Sequence, residues 1–599
     1  MKKILFLLFI CLFAAEGSVF GGIIRYDGLV LTDIPDFESS DIYGYNFARV
    51  NVANNSKEAR KVKLFFTSYE KTWEVSKTVT VLPGDIQEVV LYFPGTNQTN
   101  RAISVEVDDK EVEYKHGRLD LRRSRGYSYN NNKYVLLDSA VPIKYMEDVA
   151  TPKGSKHSSS SPSSRRRGTF GDIDITQFTG SNYQLYKNWL AYSQFQSVIF
   201  TQNTFEKLGT EVKNAIFDYV RTGGVLTIIG NDIKLPDDFY YLPKERDEKA
   251  GLKAAEGVFG RVFIAEERKQ LQGDAEDNPA TNDSITYEAY SKIMEFNIVK
   301  NLTNSSLSFT PEETLAFDTI ELAGLSILFA IFLGPVNILW LKRKKRMILI
   351  FLTVPVISFF LCFSLASYYY IFESSVLNIK RNTLIYLNEK NNKAVTLADY
   401  CVFSAASNSE GMRFSDSTSV LPMDTNRRRN GIHNNIGSII LDSGQHFANG
   451  WIRARTLRNL KLSSVESVRE RIQVTYENNS CKVMNGLGED IEEIYLLSKA
   501  NELFRGNSIP AGKTGVLTKD KSPTKRSRQM TLSEIIIKND WNWFQTFVHE
   551  EKNRNLLIRP GQYVAVLSSS PFLKQKFEKR ARMTENVYLI GTMNEEGAL

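Results

Sequence analysis

The sequence predicts a multidomain protein of mixed class, in which β-rich domains and one α/β domain surround a pair of membrane-spanning helices. Its 599 residues exceed the length of an ordinary single domain severalfold. Tyrosine and phenylalanine, which favour strands, are abundant at 27 and 36 residues. Two uninterrupted apolar stretches near the middle of the chain are each long enough to cross a bilayer as a helix.

Residues 1–17 have the pattern of a secretory signal peptide. Lys2 and Lys3 precede an apolar run at 4–13, and small residues follow it. A basic start, an apolar middle and a small-residue cleavage region are the three parts of such a signal. We expect cleavage after Gly17.

Residues 22–120 are predicted to form a β-sandwich. Short segments of broadly alternating polarity are separated by turn formers such as Asn54-Asn55 and Pro83-Gly84. Several strands at regular short spacing are typical of an immunoglobulin-like sandwich, which here would lack the usual disulfide.

Residues 131–310 are predicted to form an α/β domain with a parallel sheet, because strand-like and helix-like patterns alternate. Helices are expected at 183–192 and at 205–222, where the second has one apolar stripe of helical period. The strand predicted at 225–229 is apolar on both faces. A stretch rich in serine and arginine, 154–168, is predicted to be a solvated loop.

Residues 319–341 and 347–372 are predicted to be two transmembrane helices joined by a short basic turn. The turn consists of Lys342, Arg343, Lys344, Lys345 and Arg346. Basic residues in short loops stay in the cytoplasm. Both this rule and the signal peptide place the large domains on the extracytoplasmic side of a bacterial cytoplasmic membrane.

Residues 374–599 return to strand-like patterns and are predicted to form one large or two smaller extracytoplasmic β-rich domains. Cys401 and Cys481 both lie in this region. Whether they form a disulfide depends on geometry that the sequence does not give.

Several motifs resemble a group of poorly characterised bacterial membrane proteins. One is Gly334-Pro335-Val336-Asn337, directly before the basic turn; the others lie at 189–200, 218–226, 483–488 and 558–563. Members combine a signal peptide, a β-sandwich, a domain similar to class I glutamine amidotransferases, a two-helix hairpin and an extracytoplasmic β region. The resemblance covers nearly the whole chain. It implies an envelope protein, with a role beside an export system as one option, and no established activity.

The residues needed for amidotransferase chemistry are missing from the α/β domain. Enzymes of that class use a cysteine nucleophile activated by a histidine. Residues 120–310 contain no cysteine, and His157, in the serine-rich loop, is their only histidine. The resemblance therefore implies a degenerate amidotransferase-like domain, and we expect no catalytic residue there.

Asp138, Thr201, Asn231 and Asp232 are the candidate residues for a ligand crevice. Each follows a predicted strand of the α/β domain, and ligands of such domains bind where the carboxyl ends of parallel strands meet. The simpler alternative is that these residues cap strands and turns. The sequence has no phosphate-binding glycine motif, no Cys/His metal pattern and no basic–aromatic interleaving. We therefore expect no cofactor, no metal and no nucleic-acid partner.

The sequence thus favours a non-catalytic, membrane-anchored envelope protein that presents recognition or scaffold domains for protein or glycan contact. Two alternatives remain open. The chain could be an auxiliary subunit of an ABC-type exporter, with its hairpin packed on the permease. It could also be a carboxylate-dependent enzyme acting on cell-wall or other glycans through its C-terminal region, which would require two carboxyl groups about 5–9 Å apart.

Overall fold

A computed structural model gives the structure of the chain. It describes residues 22–34, 44–67, 73–94, 101–117, 119–121, 133–141, 173–178, 185–230, 233–241, 252–265, 319–368, 376–423, 437–477, 480–519, 559–573, 575–576 and 581–593. This part of the chain is strand-rich, with several sheets and two apolar helices, which confirms the predicted mixed, multidomain class. The predicted signal peptide at 1–17 and loop at 154–168 lie outside the described residues.

The N-terminal region forms short antiparallel strands. They are β1 Ile23–Tyr26, β2 Leu29–Asp33, β3 Tyr45–Asn54, β4 Arg60–Thr67, β5 Trp73–Val81, β6 Ile86–Pro94, β7 Arg101–Val107, β8 Lys110–Glu111 and β9 Leu119–Leu121, with a 3-10 turn at Tyr114–His116. One sheet has the order β1-β2-β3-β6, and a second contains β5, β4 and β7. Alternate residues such as Val62, Leu64 and Phe66 point into the core between the two sheets, as the period of two in a strand requires.

The α/β domain contains a seven-stranded sheet and two helices. The elements are β10 Lys133–Asp138, β11 Ile173–Phe178, β12 Ser197–Thr201, α1 Gln202–Lys207, α2 Thr210–Arg221, β13 Val225–Ile229, β14 Phe239–Tyr241, β15 Leu252–Gly257 and β16 Gly260–Ala265. The sheet order is β11-β10-β12-β13-β16-β15-β14, and the pairings from β11 to β16 are parallel. The expected parallel sheet is therefore present.

The structure corrects both helices predicted in this domain. The segment predicted at 205–222 is two helices, α1 and α2, because Leu208 and Gly209 are extended and Gly209 is the N-cap of α2. Glycine gains little from a helical conformation and so accepts this break. At 183–192, the described residues contain only a 3-10 turn, Trp189–Tyr192, in which the Asn188 side-chain oxygen caps the amide of Leu190. Its four residues are all buried, so tertiary packing determines their conformation there.

The two apolar segments near the middle of the chain form a helical hairpin. It consists of α3 Thr319–Ile331, a π-helical turn Phe332–Val336, α4 Asn337–Arg343, a 3-10 turn Met347–Leu349 and α5 Ile350–Tyr368. Pro335 lies inside the π-helical turn, where its missing N–H is accommodated. Ala323–Arg343 and Met347–Ser364 are long and apolar enough to cross a membrane, with mean hydropathies of 2.0 and 2.5. Phe351, at 83% exposure, shows how little of this surface packs on protein.

The C-terminal region is again built from strands. They are β17 Leu377–Asn388, β18 Lys393–Ser404, β19 Met412–Phe414, β20 Thr418–Met423, β21 Gly437–Ile440, β22 Gln445–Ala448, β23 Arg458–Ser467, β24 Arg471–Glu477, β25 Ser480–Gly486, β26 Ile491–Leu497, β27 Leu503–Ile509, β28 Thr514–Lys519, β29 Gln562–Leu567, β30 Gln575–Lys576 and β31 Ala581–Thr592. Eleven of them form one sheet in the order β20-β23-β18-β17-β31-β29-β26-β27-β28-β25-β24.

The remaining C-terminal strands join a sheet of the N-terminal region. β30, β19, β22 and β21 continue into β5, β4 and β7, through parallel pairing of β21 with β5 that places Ile439 opposite Val75. One apolar core also includes residues from both regions, such as Leu64 and Phe447. The chain segments before and after the hairpin therefore fold into a single body.

The α/β domain packs into the same body at Tyr45, the first residue of β3. Its hydroxyl donates a 2.7 Å hydrogen bond to Oε1 of Gln445 and accepts one of 2.9 Å from the amide of Val420. Its own amide donates to Oγ of Ser193 in the α/β domain at 2.9 Å. Three parts of the chain that are far apart in sequence therefore meet at one buried residue.

Candidate functional site

The structure brings two of the four predicted crevice residues together. Asp138 ends β10 and Thr201 ends β12, and these two strands are adjacent and parallel. Oδ2 of Asp138 accepts hydrogen bonds from the Thr201 amide at 3.1 Å and the Thr201 hydroxyl at 2.8 Å. Asn231 and Asp232, the other two predicted residues, lie outside the described residues.

The same carboxylate is also used within its own turn. Oδ1 of Asp138 accepts from the amide of Ala140 at 3.0 Å, and the side chain is 2% exposed. Thr201 in turn caps the amide of Thr204 at the start of α1. Both side chains therefore hold the ends of strands and helices in place, which favours the capping interpretation over a ligand crevice at these two positions.

A larger charged cluster, not predicted from the sequence, lies where the α/β domain contacts the C-terminal region. Arg221, in the last turn of α2, donates to both carboxylate oxygens of Asp238, at 2.6 and 2.9 Å, and to Asp218 at 2.7 Å. The Lys393 ammonium donates to Asp218 at 2.6 Å, and the side-chain amide of Asn391 donates to Asp238 at 3.3 Å. We call these five residues the Arg221 cluster.

The Arg221 cluster keeps a buried charge ionised. Burial disfavours the charged guanidinium, but hydrogen bonds and attraction from Asp238 and Asp218 outweigh that cost, so the pKa of Arg221 lies above its ordinary value. A group that never loses its proton cannot serve as a general base. The cluster connects α2 to the turn between β17 and β18, and so joins the α/β domain to the C-terminal region.

The C-terminal region contains a buried carboxylate at Glu389, directly after β17. Oε1 accepts a hydrogen bond from the Ile472 amide at 2.9 Å and from the Tyr563 hydroxyl at 2.8 Å. Burial, followed by the nearby Glu389 charge, raises the pKa of Tyr563 well above its usual value. The phenol therefore stays protonated as the donor, and Glu389 attaches the edge strand β24 to the end of β17.

Two further buried ion pairs cross the large sheet. Arg381 on β17 bonds both oxygens of Glu585 on β31 at 2.5 Å, and the Ser570 amide donates to the same carboxylate at 3.1 Å. Lys461 on β23 lies 3.7 Å from Asp399 on β18, and burial lowers the pKa of Lys461 although the attraction of Asp399 opposes it. Because groups of the protein itself engage both carboxylates, a structural role is favoured over acid–base chemistry.

The basic turn residues lie together at one end of the hairpin. Lys342 and Arg343 are in the last turn of α4, and Lys344, Lys345 and Arg346 follow before the second helical segment. All five are exposed. They form one compact patch of positive charge between the two apolar helices.

Asn337 is a buried polar residue of the hairpin, and it belongs to the Gly-Pro-Val-Asn motif on which the family resemblance rests. It is 4% exposed, and its side-chain amide donates to the Thr353 hydroxyl on α5 at 3.0 Å. In an apolar surrounding an unpaired amide is costly, so this contact holds the two helices together.

The cysteines and potential metal ligands give no reactive centre among the described residues. Cys401 on β18 and Cys481 on β25 are both buried, and the structure has no disulfide between them. Burial raises the pKa of the Cys481 thiol to about 12. In the part of the chain that the structure describes, no three histidine, cysteine or acidic side chains are placed to hold a metal ion.

Comparison with known proteins gives no family. No family model matches the chain, and no curated protein matches it. Among solved structures, the yeast delta-COP-I mu-homology domain complexed with the Dsl1 WxWxV peptide aligns with 36% of this chain and 95% of its own, at 8% identity and a TM-score of 0.18. A β-glucuronidase from glycoside hydrolase family 2 aligns with 94% of this chain and 61% of its own, at 8% identity and a TM-score of 0.17. Neither similarity is close enough to support a fold or a function.

Proposed function

We propose that this chain is a non-catalytic envelope protein, anchored by its hairpin in a bacterial cytoplasmic membrane, whose β-rich body is a recognition and scaffold unit for protein or glycan contact. The proposal includes the expected signal peptide and an α/β domain that is a degenerate relative of class I amidotransferases.

The observation that carries the proposal is that the body is made from chain segments on both sides of the hairpin. β5 precedes the hairpin, β21 follows it, and the two strands pair directly. Paired strands lie in one compartment, so a hairpin between them must enter and leave the membrane on the same side. This is what an anchor for a single large external body requires.

The exposed surface of the hairpin supports its membrane location. Ile348 and Phe351 are 83% exposed and Phe359 is 66% exposed. Large apolar patches are rare on soluble surfaces, whereas lipid removes their cost. The compact basic patch at 342–346 supports a cytoplasmic turn, and hence an extracytoplasmic body.

The buried charges of the body support the non-catalytic part. Asp138, Glu389, Glu585 and Asp238 are each held by donors from other strands or turns. Catalytic carboxylates need access to a substrate and a pKa suited to proton transfer. Buried carboxylates that bond other parts of the same protein are more typical of a rigid scaffold than of a catalytic site.

Cysteine labelling with a membrane-impermeant maleimide tests the anchored topology. Lys110→Cys lies before the hairpin, Thr518→Cys after it and Lys344→Cys within the basic turn; all three are exposed. A Cys362→Ser background removes the exposed native thiol. In intact cells we expect labelling at 110 and 518 and none at 344 until the membrane is opened. Labelling at only one of the two body positions would overturn the same-side argument.

Two further measurements test recognition against catalysis. A photo-crosslinker at Thr518 should repeatedly capture one envelope component from intact membranes, and the same crosslinker at Lys344 is the matched control facing the other compartment. The purified protein should release no product from cell-wall glycan strands. Product release that is lost in Glu585→Gln would replace this proposal with the carboxylate enzyme.

A further inference from the structure

Six consecutive strands near each end of the chain share one pattern of connections. In the first set, antiparallel pairs join β2 to β3, β3 to β6, β4 to β5 and β4 to β7. In the second, antiparallel pairs join β24 to β25, β25 to β28, β26 to β27 and β26 to β29. These four pairings follow the same order along the chain in both sets. The second set has one further pairing, β27 with β28 over two residues, whereas the corresponding β5 and β6 lie in different sheets.

The registers of the paired strands also agree. Ala53 lies opposite Ile86 on β3 and β6, and Met484 lies opposite Thr514 on β25 and β28. From this alignment, Val50 and Val89 correspond to Cys481 and Leu517, which are indeed partners.

A second pair of strands uses the same numbering relation. Arg60 lies opposite Val81 on β4 and β5, and the corresponding residues Ile491 and Ile509 lie opposite each other on β26 and β27. One alignment with a single three-residue gap, between β4 and β5, therefore accounts for both strand pairs.

A buried asparagine makes the same set of contacts in each set of strands. Asn54 and Asn485 are both fully buried. The side-chain amide of Asn54 donates to the carbonyls of Glu58 at 2.8 Å and Val81 at 2.9 Å. That of Asn485 donates to the carbonyls at the corresponding positions, Glu489 at 2.8 Å and Ile509 at 2.9 Å.

The side-chain oxygen and the backbone carbonyl of the two asparagines also accept matching hydrogen bonds. The Asn54 side-chain oxygen accepts from the amide two residues ahead at 2.9 Å, and that of Asn485 does so at 3.0 Å. The Gly84 amide donates to the Asn54 carbonyl at 2.7 Å, and the Gly512 amide donates to the Asn485 carbonyl at 2.8 Å. These glycines have φ of +74° and +70°, a conformation that glycine adopts without the cost a side chain imposes.

We infer that residues 29–107 and 471–567 are two copies of one β-sandwich module, one on each side of the hairpin in the sequence. Strand topology alone would not carry this, because the same connections recur in unrelated sandwiches. A shared register in two strand pairs, together with one buried asparagine joined to the same turn glycine, is a far more specific agreement. The inference does not depend on the proposed function.

The two modules differ at their edges, which explains why the repeat is hidden in the sequence. In the first module β1 covers β2, with Tyr26 opposite Leu29. In the second, the Glu389 carboxylate bonds the amide of Ile472 on β24. The outer face of the second module exposes Met484, where the first has Ala53. The two modules pack against different neighbours, so their edge residues differ. The hydrogen-bonded turn is the element that they share.

Exchange of the glycine turns tests the inference. Residues 82–85 are replaced by Pro-Ala-Gly-Lys, the sequence of 510–513, and the reverse replacement is made in the second module. Equivalent turns should accept each other, so both exchanged proteins should be purified folded, with a thermal midpoint within a few degrees of the parent. The control inserts Pro-Gly-Ala-Lys at 82–85, which moves glycine away from the position that needs positive φ. That control should lower the midpoint markedly.

Asparagine substitutions provide a test that does not depend on loop exchange. Asn54→Asp and Asn485→Asp each keep the accepting oxygen and remove both donated bonds, so the two should lower the thermal midpoint by similar amounts. Asn51→Asp, on the same strand as Asn54 but only partly buried, should have little effect. The inference is overturned if the exchanged turns are as damaging as the permuted control, or if only one of the two asparagines matters.

Discussion

Removal of Asp238 from the Arg221 cluster should strongly destabilise the protein. Asp238 is 1% exposed and accepts two hydrogen bonds from Arg221, which is 4% exposed. In Asp238→Ala the guanidinium stays buried and charged, and only Asp218 still accepts from it. Breaking a buried pair while its partner charge remains costs about 3–5 kcal/mol. We expect the free energy of unfolding to fall by about that amount.

The neighbouring residue supplies the matched control. Asp237 pairs with Lys390 at 2.6 Å, but these side chains are 60% and 63% exposed. Solvent screens such an exposed pair and leaves it little net effect on stability, so Asp237→Ala should be nearly neutral. Guanidinium-induced unfolding of the detergent-purified protein, followed by tryptophan fluorescence, compares the two. A double variant, Arg221→Met with Asp238→Leu, should recover part of the loss because no unpaired charge remains. Equal effects of Asp237→Ala and Asp238→Ala would refute the argument.

Three other predictions follow from single buried groups. Tyr45→Phe leaves an amide and a side-chain carbonyl without their partner, and should lower the free energy of unfolding by about 1–3 kcal/mol in the same assay. Asn337→Ala should weaken the contact between the two hairpin helices by about 0.6 kcal/mol. Crosslinking between the two helices should then be less efficient than in the parent protein. With a pKa near 12, Cys481 should react with a thiol reagent at pH 8 about a thousandfold more slowly than an ordinary thiol, until denaturant is added. Its contribution to stability should be present below pH 9 and lost as pH rises from 9 towards 12, because the unfolded thiol ionises first. Fast modification of the folded protein would contradict the burial.

The sequence predicted the features that depend on local patterns. Two long apolar runs separated by a short basic turn predict a helical hairpin independently of the rest of the sequence. Alternating strand and helix patterns correctly indicated the parallel sheet that contains β10 to β13. The break at Leu208 and Gly209 was missed because the apolar stripe continues across it, and periodicity alone does not register two extended residues.

The candidate site shows where such reasoning ends. Asp138 and Thr201 were expected at one sheet edge as part of a ligand crevice, and only the structure shows that they bond each other. The Arg221 cluster draws on α2, on the segment before β14 and on the turn after β17, and no sequence pattern links these elements. One sequence signal for the inferred repeat was present and was missed. It is an asparagine followed about 30 residues later by a turn glycine, as in Asn54 with Gly84 and Asn485 with Gly512.

The pairing between β5 and β21 closes a very long loop of chain. The amide of Thr78 donates to Asp442 across 364 positions of chain, and closing so long a flexible loop costs about 5 kcal/mol of chain entropy. Bringing the two ends of the hairpin together removes only about 50 of those positions, which lowers the closure cost by about 0.1 kcal/mol because the cost grows with the logarithm of loop length. The apolar core that the N-terminal and C-terminal strands share must therefore offset most of this cost when the two segments meet. Under the proposed topology both segments lie on the same side of the membrane, so that core can form in one compartment.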